Sequence, residues 1–394
     1  MKRKEMLFII GALLICSIFL LTGYIVHNKK ESGTKPNISL NKNNNFDYKF
    51  IKQIEGNDNT LVSPLSMAYL LTMIQSGAKG NTLNELNIAL DNYDLQPMEN
   101  IDSKISMANS MWINNKYKND IDNTFATALK INYHSEVLYD EFINADNINK
   151  WVSEKTYNMI NELFPSDSVN SVDTIMALVN AIGINFKWDE EFDCNKTLMG
   201  NFLDKNVYMM SSNEKYLESD YYTGFIKDYE KLSDNSQYEF IGLLPKKDIQ
   251  DIINNISNDV IKNSITESEA HIQIPRFKYE YNVNNVKGIL ESLGIKDMFN
   301  KEKANFGGIA EDIYVSLIVQ KTYIDFMENG TKASAASGET FGINSAAEEK
   351  EVIEVIFNKP FVYLIRKKGS NNIYFIGTVN SPIEYDETKD VCEG

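Results

Sequence analysis

One run in the 394-residue chain has residue types and spacing that suit conformational chemistry more than catalysis: Glu328-Asn329-Gly330-Thr331-Lys332-Ala333-Ser334-Ala335-Ala336-Ser337. It follows a strand-like segment, Tyr314 to Met327, rich in Val, Ile, Tyr and Phe. Exposed loops normally carry polar turn formers, because their backbone must stay solvated. Here Thr331, Ala333, Ala335 and Ser337 fall on one side of a period-two pattern, the alternation of a strand that packs into a sheet. On the other side Ser334 and Ala336 are equally small, so little hinders insertion between existing strands. The run is fitted to live outside a sheet and also to become part of one. Gly330 is a natural pivot, because glycine accepts the dihedrals a hinge must pass through.

Ordinary enzyme chemistry finds no footing. The three histidines, His27, His134 and His271, have no catalytic partners nearby in sequence, and there is no nucleophile-elbow motif or metal-ligand spacing. Cys16, Cys194 and Cys392 are far apart, with no CxxC, and do not read as a disulfide framework. The expectation is a protein that is not an enzyme and uses neither metal nor cofactor. A net charge of −16 without a basic stripe excludes nucleic acid as a partner. A hydrophobic fraction of 43% suffices for a large core and excludes a disordered chain.

At the N-terminus, Lys2, Arg3 and Lys4 precede an apolar run of 20 residues, Leu7 to Val26, long for a signal-peptide core and close to a membrane span. The basic residues place the rest of the chain outside the cytoplasm. Leu13-Leu14-Ile15-Cys16 loosely matches a bacterial lipobox, with Ile15 bulky where a small residue is usual. Residues 1–26 are thus a signal-anchor, a cleaved signal peptide or a lipidation signal at Cys16. Each gives an extracytoplasmic protein, secreted or tethered to the outer face of the cell membrane. Residues 27–45 form a polar, flexible tether. One domain comes next, 46–382, and then an expected mobile acidic tail, 383–394.

Within that domain, Ser63 as N-cap and Pro64 at the first position predict a helix over Leu65 to Gln75. Helical spacing of Ile148, Val152, Met159 and Leu163 predicts another over Ile148 to Phe164. Strands are predicted at Thr174–Phe186, Tyr238–Leu244, His271–Tyr279, Tyr314–Met327, Glu354–Arg366 and Asn372–Val379. Helices mostly in the first half and strands later predict an α+β fold.

Several segments together resemble the serpin family. Asn59-Thr60-Leu61-Val62-Ser63-Pro64-Leu65-Ser66, continuing to Gly77-Ala78-Lys79-Gly80-Asn81-Thr82, is similar to the serpins' second helix, and Ile148-Asn149-Lys150-Trp151-Val152 with Thr156 to a later one. Val179-Asn180-Ala181-Ile182 with Trp188 and Phe192 resembles their central strand. Phe357-Asn358-Lys359-Pro360-Phe361 and Phe375-Ile376-Gly377-Thr378-Val379-Asn380-Ser381-Pro382 resemble the C-terminal signature, and Glu328 to Ser337 the inhibitory hinge. Non-inhibitory serpins tend to carry bulky or charged residues in that hinge.

The resemblance implies a metastable fold with a large central sheet, additional sheets and an exposed reactive-centre loop at about 329–353. It implies a suicide substrate: a serine or cysteine protease attacks the loop, forms an acyl-enzyme, and is trapped covalently as the cleaved loop inserts. At about 3.3 Å per residue, Thr331 to Asn344 would span on the order of 46 Å, enough to carry the protease across the molecule. Glu328 and Arg276 correspond to the family's ion pair at the top of the sheet, the breach, where Trp188 also lies. Ser63, Ser66 and Asn180 correspond to the shutter where the sheet parts. Gln320 stands where the family usually has histidine, so this network should not titrate.

The resemblance implies a scissile bond fourteen residues after the hinge glycine, at Asn344-Ser345, with Phe341, Ile343, Ala346 and Ala347 as alternatives because the loop is long. Glu339 falls on the inward face after insertion, where an unpaired carboxylate is costly. A non-inhibitory serpin acting as a surface binding protein is the alternative reading. The protein is expected to be a monomer. The Asn/Lys/Ile-heavy composition fits an AT-rich bacterial source, which lowers the weight of the sequons Asn329-Gly330-Thr331 and Asn195-Lys196-Thr197.

Overall fold

Ser63 and Pro64 begin a helix as their chemistry requires: the Ser63 hydroxyl oxygen accepts from the Ser66 amide (3.3 Å), and Pro64 takes the first helical position. The computed structural model describes residues 45–54, 58–95, 104–133, 135–283, 285–331 and 353–388. The helices are α1 (Asn45–Ile51), α2 (Pro64–Gln75), α3 (Gly80–Leu90), α4 (Asn123–Tyr133), α5 (Asp146–Lys155), α6 (Ile249–Asn255), α7 (Asn258–Asn263) and α8 (Val286–Ser292). The strands up to the chain's midpoint are β1 (Thr60–Val62), β2 (Ile105–Asn114), β3 (Glu136–Asp140), β4 (Met176–Ile184) and β5 (Phe186–Lys187). Then come β6 (Leu198–Phe202), β7 (Lys205–Glu218), β8 (Tyr222–Asp228), β9 (Tyr238–Pro245), β10 (Ile265–Pro275) and β11 (Phe277–Asn282). The last are β12 (Val315–Met327), β13 (Gly330–Thr331), β14 (Ile353–Ile356), β15 (Phe361–Lys367) and β16 (Ile373–Val379).

Two sheets result, as an α+β fold demands. One has the order β3-β2-β4-β12-β13-β5, with β11 alongside β12; the other runs β1-β16-β15-β9-β8-β7-β10-β14, with β6 on β7. Helix α2 is buried along nearly its whole length and packs on β2 and β4 of one sheet and β16 of the other. It is apolar all round, as a helix between two sheets must be.

Several expectations need correction. The strand predicted over His271–Tyr279 breaks at Arg276 into β10 and β11, which belong to different sheets. The helix predicted over Ile148 to Phe164 ends at Lys155, because the Thr156 hydroxyl donates to the Val152 carbonyl while its oxygen accepts from the Ile160 amide. Tyr157 and Asn158 then take left-handed φ of 50° and 57°, which no helix continues through. The tail, expected to be mobile, is hydrogen-bonded to the fold from Ile383 to Asp386. The leader, the tether up to Asn44, the loop from Lys332 to Val352 and the last six residues lie outside the described residues.

Candidate functional site

The centre of the first sheet holds the site. Strands β4 and β12 run parallel and in register, Gln320 opposite Asn180 and Thr322 opposite Ile182. Beyond that point they part. In the gap lies β13, antiparallel to both neighbours, with Gly330 opposite Met327 and Lys187, and Thr331 opposite Phe326 and Phe186. The start of the connecting segment is therefore already a strand of the sheet.

Gly330 is required there for two reasons. Its φ of +150° disfavours a side chain, and an added Cβ would sit 2.1 Å from the Phe186 carbonyl oxygen. Thr331 is fully buried, and its hydroxyl lies 2.7 Å from that of Tyr229. Tyr229 is fixed by Trp188, stacked on it at 4.3 Å between ring centres.

A turn after β5 grips the residues before Gly330. The Trp188 indole N–H donates to the Met327 carbonyl (2.9 Å), the Phe192 amide to that of Glu328 (2.9 Å), and the Trp188 amide to that of Asn329 (3.3 Å). Three consecutive carbonyls are thus held by one turn. The Glu328 carboxylate accepts from Arg276 Nε (2.8 Å) and NH2 (2.6 Å) and from the Thr197 hydroxyl (2.6 Å). The pair is nearly dry, with side-chain exposure of 6% for Arg276 and 12% for Glu328. Beneath the turn, Lys227 lies 4.4 Å from the Phe192 ring centre and pairs with Glu214 at 2.5 Å. Burial holds the Glu214 carboxyl above its ordinary range, with the Lys227 ammonium only partly opposing.

Lower in the sheet, three amides line up across adjacent strands: Asn109 opposite Asn180, and Asn180 opposite Gln320. Asn180 Nδ2 donates to Asn109 Oδ1 (2.5 Å) and to the Ser66 hydroxyl; Gln320 Nε2 donates to Asn180 Oδ1 (2.8 Å) and the Ser63 carbonyl (2.9 Å). Gln320 Oε1 accepts from the Ser63 amide (3.0 Å). This network joins β4 and β12, and every member is uncharged.

Of the residues singled out from sequence, the structure brings together Glu328, Gly330, Thr331, Arg276 and Trp188 at one place, and Ser63, Ser66, Asn180 and Gln320 at another. Ala333, Ala335, Ala336, Ser337, Glu339, Asn344 and Ser345 lie outside the described residues. Sequence reasoning missed Tyr229, Thr197 and Asn109. Thr197 drew notice only as part of a sequon, yet it is buried against Glu328. Cys194 is disulfide-bonded, and the other two cysteines, Cys16 and Cys392, lie outside the described residues. Among the described residues no cluster of His, Cys, Asp and Glu could hold a metal ion.

The sheet parts beyond Thr322 to seat Gly330 and Thr331, the first residues of a long connection. A family model described as serpin (serine protease inhibitor) matches residues 41–382. A leukocyte elastase inhibitor from Bos taurus is 30% identical over 365 residues, covering 82% of this chain and 93% of that protein. A serine protease inhibitor from Cyanea capillata is 28% identical over 366 residues, covering 82% and 92%. The crystal structure of the thermophilic serpin tengpin in the native state superposes with a TM-score of 0.74 at 28% identity, covering 85% of this chain and 92% of that one. The chain belongs to the serpin family. Membership supports protease inhibition as its activity and a target protease as its partner.

Proposed function

We propose that this serpin traps its target protease covalently, as a suicide substrate. The reading rests on one observation: Gly330 and Thr331 are already seated between β5 and β12, so the sheet stands open at the point where a loop strand would enter. The protease nucleophile attacks the Asn344 carbonyl carbon, the Asn344-Ser345 peptide bond breaks, and Ser345 departs as a free amine. The ester or thioester left on Asn344 is carried along as the chain from Lys332 onward zips between β4 and β12. Each added residue forms ladder hydrogen bonds and buries a small side chain. Once β12 has a loop strand beside it along its length, the acyl-enzyme is held far from where it formed.

Apolar residues around the bond, Ile343, Ala346 and Ala347, suit an elastase- or subtilisin-like serine protease, in keeping with the bovine relative's name. Asn344 suits an Asn-preferring cysteine protease. The site of action is extracytoplasmic, with residues 1–26 as leader or membrane tether. The disulfide at Cys194 supports an oxidising compartment. The inhibitor works as a monomer.

Incubation of the protein with a panel of these proteases tests the reading. The expected result is an SDS-resistant complex, a released C-terminal fragment whose mass identifies the cut bond, and a large rise in thermal stability of the cleaved form. Cleavage with neither complex nor stabilisation would leave instead a non-inhibitory serpin acting as a surface binding protein.

A further inference from the structure

The match to the serpin family ends at Pro382, yet the chain continues as a defined strap. The Ile383 amide donates to the Arg276 carbonyl (3.0 Å), Glu384 bridges antiparallel to Val207, and the Tyr385 amide donates to the Asn206 carbonyl (2.8 Å). Where β10 ends, the tail thus takes over as the neighbour of β7. Two groups then fix Tyr208. The Tyr385 ring packs against it at 4.7 Å between centres, and the Tyr208 hydroxyl donates to the Asp386 carbonyl (3.0 Å) while accepting from the Asp386 amide (3.1 Å). Lys205 and Glu384 add an ion pair at 2.5 Å on the exposed side.

Tyr208 in turn covers Arg276. The guanidinium carbon lies 4.6 Å from the Tyr208 ring centre, and the Arg276 amide donates to the Tyr208 carbonyl (3.0 Å). Arg276 is thus held by a carboxylate, by an aromatic face, and through its own backbone by Ile383. A cation between a carboxylate and a ring, kept from water, is held more firmly than by the carboxylate alone.

We propose that the C-terminal extension positions Tyr208 over Arg276 and thereby sets how readily the top of the central sheet opens. Tyr208 and Tyr385 are positioning residues acting through the Arg276–Glu328 pair. The inference rests on the loop-insertion reading of the protein's function. With the strap in place, opening the sheet next to Glu328 has to disturb a stacked, hydrogen-bonded assembly. Without it, Arg276 and Glu328 part at lower cost.

The test compares the full chain with a chain ending at Pro382, with Tyr385→Ala, and with Tyr385→Phe, which keeps the ring. The probe is a synthetic peptide with the sequence Ala333–Asn344, and the readout is the rate at which it inserts into the uncleaved protein. Truncation and Tyr385→Ala should each speed insertion about ten-fold, and Tyr385→Phe should restore the original rate. Equal lowering of native and loop-cleaved stability with an unchanged insertion rate would reduce the tail to a structural patch and overturn the proposal. If the truncated chain fails to fold, the two Tyr385 variants decide. If the unaltered protein takes up no peptide and gains no stability on loop cleavage, the insertion reading falls and the strap's role falls with it. Uptake by the unaltered protein with no effect of Tyr385→Ala sinks the strap alone.

Discussion

The hydroxyls of Tyr229 and Thr331 meet at 2.7 Å in a fully buried site beneath the central sheet. Burial pushes the Tyr229 phenol well above its ordinary pKa, with the Thr331 hydrogen bond opposing, so it stays protonated and able to donate. This is the first side-chain contact that the insertable segment makes with the body of the protein. Tyr229→Phe leaves the Thr331 hydroxyl buried without that partner, at a cost of about 1–3 kcal/mol. The amides of Gly330 and Thr331 should then exchange with solvent faster than in the unaltered protein, while those of β4 are unaffected. Adding Thr331→Val removes the second hydroxyl too and should recover most of the loss. Unchanged exchange in Tyr229→Phe would show that the backbone pairing alone holds the segment.

Gly330 offers a sharper test of the same region. Gly330→Ala drives a methyl group to 2.1 Å from the Phe186 carbonyl oxygen, in a backbone conformation that L residues rarely adopt. Strain of about 1–3 kcal/mol falls on β13 and not on the core. The expected variant folds but cannot keep this residue between β5 and β12. Its loop is cut by the protease with a lower yield of SDS-resistant complex and a smaller gain in thermal stability. A wild-type yield would mean that the segment inserts by a path that avoids this contact.

Glu328 and Arg276 form a nearly dry pair, so its two halves are unequal to the whole. Glu328→Gln removes the charge opposite a buried guanidinium and should cost the native state about 3–5 kcal/mol. Replacing both, Arg276→Met with Glu328→Gln, should cost less than the sum of the single changes. A double-mutant cycle on urea unfolding measures the difference, and strict additivity would refute coupling between the two residues.

Much of this site was legible because its signals are local. Ser63-Pro64 announces a helix start, and the Val-, Ile-, Tyr- and Phe-rich run up to Met327 announces β12. The Glu328–Arg276 pair came from the resemblance to the serpins, since two charges 52 residues apart carry no local sign of pairing. What escaped was set by long-range register. Tyr229 becomes the partner of Thr331 only because the end of β8 lies under β13, and nothing near it in sequence says so. Asn109 enters the amide row because β2 pairs with β4 in one register, and a slip of one residue would turn it to the other face. Thr156 stopped a helix that apolar spacing alone carried on to Phe164, since periodicity is blind to a side chain that satisfies the backbone itself.

The row Asn109, Asn180, Gln320 carries no titratable group, so it adds no pH dependence of its own. Gln320 is fully buried and makes both a donor and an acceptor bond to Ser63. A histidine at this position would sit among neutral amides and apolar side chains, where its charged form is disfavoured, so its pKa in the folded protein falls below the ordinary value of about 6.5. Between that ordinary value and the lowered folded one, the unfolded chain binds a proton that the native state does not. Stability therefore drops as pH falls through this window, by about 1.4 kcal/mol for every tenfold loss of proton affinity on folding. Gln320→His should then match the unaltered protein above pH 7 after a constant offset and lose ground steadily below about pH 6.5. Urea midpoints across this pH range measure it. If the difference between the two proteins stays flat across the range, the imidazole has found a solvated or charge-paired position, and the amide row is not a closed, neutral seam between β4 and β12.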